Sequence, residues 1–299
     1  MNMAERSVSQ QGELRVNEPM ASHTTWRVGG PVRRFYRPAG VEDLCAFLAE
    51  LPQDEPVYWL GLGSNLLVRD GGLPGTVIYT FGGLDALAAV DAVTLRVEAG
   101  VACAKVARES ARRGLTGGEF LAGIPGTLGG ALAMNAGAFG GETWTLVARV
   151  VGVDRHGALH VRRPSEYRVG YRSVQGPAEE WFVAAELRFT PGDTQQAQRR
   201  IRELLAQRND TQPTTQASCG SVFRNPPGDH AARLIDTAGL KGLRVGGAQV
   251  SEKHANFIVN TGEATAADIE ALIERVQAEV ERVHGVRLEP EVRIVGERK

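Results

Sequence analysis

Between Glu119 and Glu142 the chain carries no charged residue, and inside that window Gly123 to Gly141 is built almost wholly from glycine, small and apolar residues. Few structures tolerate such a stretch. A transmembrane helix suits it poorly, because Pro125 and the repeated glycines would leave N–H and C=O groups unpaired in lipid. A flexible linker suits it no better: linkers are polar and Gly/Ser-rich, whereas Ile124, Leu128, Leu132, Met134 and Phe139 are apolar. The remaining reading is a buried glycine-rich turn that feeds a short helix of small residues. Glycine permits close approach of backbone to a ligand, and free N–H groups at such a turn bind anions.

The rest of the composition narrows the class. With 299 residues, 42% hydrophobic and 23% charged, the chain is sized for two soluble domains. A net charge of −1 gives no electrostatic case for nucleic acid or an anionic membrane. Met1 to Asn17 is polar and lacks an apolar signal core, so residues 1–20 are expected to be a disordered arm rather than a targeting peptide. Cys45, Cys103 and Cys219 have no metal-ligand spacing and are odd in number, which disfavours a disulfide framework and favours the cytoplasm. No metal site is expected.

Along the chain, helical and strand signals mix without a regular βαβ rhythm, which predicts an α+β fold. Strands are expected at 35–37, 57–60, 76–81, 94–98, 181–190 and 256–260, and a hairpin at 147–162 around Arg155-His156-Gly157. Helices are expected at 41–51, 102–113 and 193–208. Thr265, with Asp268 in the capping-box position, opens a long helix that Gly285 closes. A final strand is expected over 286–295. The character of the chain changes at the polar segment 209–216, which divides it into residues 21–208 and 209–299.

Strand 57–60 runs into Gly61-Leu62-Gly63-Ser64-Asn65-Leu66, a second candidate anion cradle. It lacks the third glycine of a dinucleotide fingerprint and the Gly-Lys-Ser/Thr of a P-loop. A plain turn, with Ser and Asn bonding their own backbone, remains open. No Gly-x-Ser-x-Gly elbow occurs. The last third of the chain carries scattered polar residues, Ser221, Asn225, Lys241, His254, Asn256 and Glu291. Two cradles ahead of a polar segment suggest a dinucleotide cofactor facing a substrate domain.

Five segments in order resemble the UDP-N-acetylenolpyruvoylglucosamine reductase family. Leu60 to Val68, and Gly123-Ile124-Pro125-Gly126-Thr127-Leu128-Gly129-Gly130 with Met134-Asn135-Ala136-Gly137, are similar to its two FAD loops. Tyr171-Arg172-Ser173, Gly220 to Pro226 and Glu289 to Arg293 are similar to its catalytic segments. The resemblance spans about His23 to Gly296. It implies an FAD-binding domain of the vanillyl-alcohol-oxidase and p-cresol-methylhydroxylase type, made of two α+β lobes, followed by a smaller substrate domain. It also implies a ping-pong reduction of UDP-N-acetylglucosamine enolpyruvate to UDP-N-acetylmuramate, with NADPH as co-substrate. Carried over residue by residue, Ser221 is the proton donor, and Arg172 and Glu291 polarise the enolpyruvyl carboxylate. The cofactor contacts so implied are Gly61, Gly63, Ser64, Asn65, Leu66, Gly123, Ile124, Pro125, Gly126, Thr127, Gly129, Gly130, Asn135 and Gly137. Tyr171, Asn225, Lys241, His254 and Asn256 are expected substrate contacts. Periodicity does not separate Glu289 from Glu291, which share a strand face; the family pattern Glu-Val-Arg favours Glu291.

The chain departs from part of the family. Only Ser173 to Glu180 separate Arg172 from the next strand, so the inserted loop whose tyrosine covers the substrate is missing, and the chain resembles the short-loop subclass. Two rival readings fit the chain less well. Sugar or alditol oxidases of the same fold often link FAD covalently through a histidine in the first loop, but none lies between Val57 and Gly75, so non-covalent FAD is expected. A non-enzymatic paralogue would have lost Arg172, Ser221 or Glu291. The protein is expected to act as a monomer.

Overall fold

The computed structural model describes residues 11–299. The first lobe is a four-stranded sheet in the order β1-β2-β5-β3, formed by β1 (Glu13–Pro19), β2 (Pro31–Arg37), β3 (Val57–Leu60) and β5 (Leu73–Tyr79). β2 and β3 both run parallel to β5, while β1 adds antiparallel to β2. α1 (Val41–Glu50) makes the crossover from β2 to β3, with Leu44, Phe47 and Leu48 buried beneath it.

The second lobe is a five-stranded antiparallel sheet. It contains β6 (Leu87–Ala89), β7 (Thr94–Glu98) and the strands Glu180–Arg188, Val147–Asp154 and Leu159–Arg162. One face packs on α2 (Cys103–Arg112), α3 (Leu128–Met134) and α4 (Thr194–Thr211) through a core that includes Leu95, Val106, Leu121, Leu132 and Ile201. Val151, Val153 and Val183 join instead the core under α1, which welds the two lobes together.

The third unit has a small antiparallel sheet made of Ala217–Ser218, Ile258–Asn260, Ala248–Val250 and Arg244–Val245. α5 (Ala231–Thr237) and α6 (Ala266–His284) cover it, and Ile269, Leu272, Ile273, Val276 and Val280 supply the buried stripe of α6. Thr265 and Asp268 form the expected capping box, and Gly285 ends the helix in the left-handed conformation with φ 66°.

Contacts far apart in sequence tie this unit to the first lobe. The short strand β4 (Leu66–Val68) pairs in parallel with Arg293–Val295. Trp26, fully buried, donates its indole N–H to Ile258 O at 2.7 Å. Arg69 grips Glu270 through two hydrogen bonds of 2.9 Å, and both Asp70 carboxylate oxygens accept from the first amides of α6.

Two expectations need correction. The residues expected to form a disordered arm fall partly in β1, where five of the seven residues are exposed, Val16 at 69% and Leu14 at 48% among them. Edge pairing with β2, not burial, orders that strand, so its composition reads as an arm; residues 1–10 lie outside the described residues. The final strand covers only Arg293–Val295, because residues 286–292 are held by single contacts to loops rather than by a ladder.

Candidate active site

The two glycine loops touch each other. A Cβ built on Gly61 would collide with Thr127 Oγ1, and one on Gly126 would lie 3.2 Å from Ser64 Oγ. Gly63 takes φ 62°, and a Cβ there would strike His23 O, so its backbone sits where no side chain fits. Together the loops wall a cleft of 280 Å³. A second cavity of 450 Å³ shares Trp59, Leu60, Gly61, Gly130, Ala133 and Arg293 with it, so the space suits one long ligand with two ends.

This space fits FAD on three observations. Among the described residues, the amides of Leu62, Ser64, Asn65 and Thr127 have no hydrogen-bond partner, which leaves a row of donors at the rim. Thr127 Oγ1 and Trp59 Nε1 are buried and unpartnered. A Cβ on Gly130 would enter open space, with its nearest neighbour 4.0 Å away, so that glycine leaves room for a ligand rather than for packing. Unpaired N–H donors along a glycine-rich turn form the kind of concavity that binds an anion.

The same cleft is lined by Arg172, Ser221 and Glu291. Arg172 sits in the two-residue turn between the strands Arg168–Gly170 and Ser173–Gln175, at φ 52°, a conformation that glycine would adopt more readily. Its side chain is fixed on three sides. Nε donates to Glu291 Oε1 at 2.9 Å, Nη2 to Gly137 O at 3.1 Å and Nη1 to Asn135 O at 3.4 Å. Burial pushes the Glu291 carboxyl above its ordinary pKa, and the Arg172 charge opposes that rise. Ser221 lines the cleft just after Gly220, whose φ is 79°.

Other expected site residues take different places. Asn135 caps α3 in the left-handed conformation and spends its amide on Glu142, Gly170 O and Trp144 N. Gly129 lines the second cavity, and a Cβ on it would meet Ala99, so that glycine also serves packing of α3 against the end of β7. Gly137 is likewise required by a close approach to Gly141. Asn65 donates to Met134 Sδ at 2.9 Å and to Glu291 O at 3.1 Å. The loop residues Leu66, Gly123, Ile124 and Pro125 line the cleft.

The expected substrate contacts are less well grouped, and the grouping needs correction. Asn256 is 3% exposed, both ends of its amide bond Phe223, and it does not reach the cleft. Asn225 accepts from Ala231 N at the start of α5, and Lys241 pairs with Asp236 at 2.9 Å. His254 packs edge-on against Phe257, ring centroids 4.7 Å apart, and burial lowers its pKa below the ordinary histidine value. None of these four lines the cleft. Tyr171 is 49% exposed, with its ring 5.1 Å from the Arg172 guanidinium carbon.

Sequence reasoning missed Arg208 and Gln212, which line the cleft from the end of α4. Arg208 Nε donates to Gln212 Oε1 at 3.2 Å, and among the described residues it has no carboxylate partner. The i,i+4 spacing of the pair on a helix that ends at a polar segment was the available signal. Arg293 also faces the cleft. Three arginines against the single carboxylate of Glu291 make the described lining cationic. Among the described residues no cluster of metal-ligating side chains exists.

Comparison with known proteins agrees with this geometry. A family model described as "FAD binding domain" matches residues 32–160, and one described as "UDP-N-acetylenolpyruvoylglucosamine reductase, C-terminal domain" matches residues 212–295. UDP-N-acetylenolpyruvoylglucosamine reductase of Alkalilimnicola ehrlichii is 68% identical over 99% of this chain and 99% of its own. The enzyme of that name from Methylococcus capsulatus is 61% identical over 98% and 97%. The crystal structure of UDP-N-acetylenolpyruvylglucosamine reductase from Thermus caldophilus superposes with a TM-score of 0.81 at 37% identity, covering 95% of this chain and 98% of that one. The paired FAD-binding lobes and the third unit are therefore those of a known architecture, and the chain belongs to the UDP-N-acetylenolpyruvoylglucosamine reductase family.

Proposed function

We propose that this chain is an FAD-containing, NADPH-dependent oxidoreductase that reduces UDP-N-acetylglucosamine enolpyruvate to UDP-N-acetylmuramate for peptidoglycan synthesis. The observation that carries the reading is the convergence of Arg172, Ser221 and Glu291 on the cleft walled by both glycine loops. FAD held non-covalently by the two glycine loops would supply the hydride chemistry that links NADPH to the enolpyruvyl double bond.

The protein's own groups handle the charge and the proton. Hydride addition at the methylene carbon drives electron density onto the carbon that bears the carboxylate. A guanidinium has five N–H donors, and Arg172 uses three on Glu291 and two carbonyls. The remainder are free to hold the substrate carboxylate as its charge grows. Glu291 fixes Arg172 by the bond to Nε, so the guanidinium plane is set before substrate arrives. Ser221 delivers the proton to the carbon. Gly61, Gly63, Ser64, Gly126, Thr127 and Gly130 hold the cofactor; Asn65, Gly129, Asn135 and Gly137 build the walls that the cofactor rests on.

Every residue in this account comes from one chain, which suits a monomeric enzyme. Among the described residues no helix is long and apolar enough to cross a membrane; Cys45, Cys103 and Cys219 are all unpaired, which suits the reducing cytoplasm. The test is anaerobic. NADPH should bleach the flavin band of the purified protein, and the enolpyruvyl substrate should restore it with formation of UDP-N-acetylmuramate. Bleaching without recovery would leave a flavoprotein of some other substrate.

A further inference from the structure

We propose that Asn256 is the positioning residue of the proton donor: its side-chain amide acts as a one-residue strand neighbour that fixes the main chain on which Ser221 is carried. The inference rests on the proposed function and adds a residue that the reaction needs but that touches no reacting atom.

The geometry is specific. Asn256 Oδ1 accepts from Phe223 N at 3.0 Å, Nδ2 donates to Phe223 O at 2.8 Å, and the main-chain oxygen of Asn256 accepts from Val222 N at 2.9 Å. On the opposite side of this segment Val222 O accepts from Glu291 N at 2.7 Å, and Arg224 N donates to Glu289 O at 2.9 Å. Val222 to Arg224 is thus held between Asn256 and the segment that carries Glu291. Val222 is 0% exposed and Phe223 2%, so water does not replace a lost partner.

Ser221 is the first residue outside that clamp. Upstream, Ala217–Ser218 pairs with Val259–Asn260 and Cys219 is buried. Between the two anchors stands Gly220, at φ 79° with nothing within 4 Å of a built Cβ. Glycine there adds no restraint of its own. The place of the Ser221 hydroxyl is therefore set chiefly from the Val222–Phe223 side. Only a primary amide supplies one donor and one acceptor at the spacing of a main-chain residue. A carboxylate keeps the acceptor and loses the donor; a hydroxyl is too short to reach both groups.

The experiment uses the full-length holoenzyme with Asn256→Asp and Asn256→Ser. Stopped-flow absorbance follows bleaching of the flavin by NADPH, then recovery on mixing with the enolpyruvyl substrate, in H₂O and in D₂O. Rates are read on flavin-loaded protein, so partial unfolding lowers the amplitude and not the rate constant. Bleaching should stay within about twofold of the unmodified protein. Recovery should slow at least tenfold, and its solvent isotope effect should rise, as expected when proton delivery from a displaced hydroxyl limits the step. Equal slowing of both halves, or recovery at the normal rate, would overturn the proposal and leave Asn256 a purely structural residue. Failure of the unmodified protein to recover with this substrate would instead refute the function on which the inference rests.

Discussion

Asn65 Nδ2 donates to the main-chain oxygen of Glu291 at 3.1 Å, across 226 positions of sequence. The next residues extend the bond into a ladder, with Leu66 opposite Arg293 and Leu67 opposite Ile294. The loop that walls the cofactor cleft and the segment that carries the carboxylate are therefore one piece of structure. Movement at either end reaches the other through two residues.

Asn65→Ala should show this coupling. The substitution removes the bond to Glu291 O and the one to Met134 Sδ, each a part-buried hydrogen bond of the kind that contributes about 1 kcal/mol. The expected result is a small drop in the urea midpoint with a larger loss in turnover, because Glu291 and the loop lose their shared register. Turnover that falls only in step with stability would make the bond a plain strut.

Gly130 and Gly129 are adjacent in α3 and predict opposite behaviour. A Cβ on Gly130 meets nothing closer than 4.0 Å, whereas one on Gly129 lies 2.9 Å from Ala99 Cβ and 3.1 Å from Ala99 O. Gly130→Ala should preserve or raise the melting temperature of the flavin-free protein, since alanine is favoured over glycine inside a helix by about 1 kcal/mol. It should lower flavin content, because the methyl enters the cleft. Gly129→Ala should lower the melting temperature. The check is flavin absorbance per protein alongside thermal melts of both variants.

How far this site could be read from sequence follows from which contacts are local. The glycine loops, the capping box at Thr265 and the hairpin at 147–162 each declare themselves within a few residues, and the fold has them. The pairing of β4 with Arg293–Val295 depends on partners from opposite ends of the chain, and no local period records it. Asn256 was legible as an uncommon polar residue but not as a buried one, since the groups that use its amide lie 33 positions away. Arg208 was read only as part of a helix end.

Glu291 gives a pH prediction. Its pKa is raised in the folded state, by burial against the opposing charge of Arg172. The folded protein then binds this proton more readily than the unfolded chain does. Stability from this group is greatest at low pH and falls as pH rises from the ordinary glutamate value through the folded one. Glu291→Gln, a neutral mimic, should therefore stabilise at pH 7, and the gain should fade as pH falls toward 4. Activity should be lost at all pH values. Melts at several pH values that show no gain at neutrality would mean that Arg172 outweighs the burial.

Ser221→Ala should separate the two halves of the reaction. The hydroxyl is proposed to act after the hydride has moved. Bleaching by NADPH should be nearly unchanged, and recovery with substrate should slow about a hundredfold or more, the usual value of a positioned general acid. Ser221→Cys should regain part of the loss. If both halves slow equally, Ser221 supports the flavin site and donates no proton.

Arg208 offers the last prediction. It lines the same cleft as the glycine loops, its only side-chain partner among the described residues is the neutral Gln212 amide, and burial pushes its guanidinium below the ordinary arginine value. A charge held in that way gains when an anion enters. The proposed substrate brings a diphosphate and a carboxylate, and Arg172 is already committed in part to Glu291. Arg208→Ala should therefore weaken binding of the UDP-linked substrate while flavin content stays constant. Hydrogen bonds to charged groups contribute about 1.5–3 kcal/mol, which corresponds to roughly ten- to a hundredfold in Kd. Arg208→Lys should restore part of the affinity, with a steeper loss on added salt, because an ammonium is a point charge without the fork of a guanidinium. Titration of the flavin spectrum with UDP and with the full substrate measures both. An unchanged Kd for each would show that the guanidinium serves only to close α4 against Gln212, and a fall in flavin content would assign it to the cofactor.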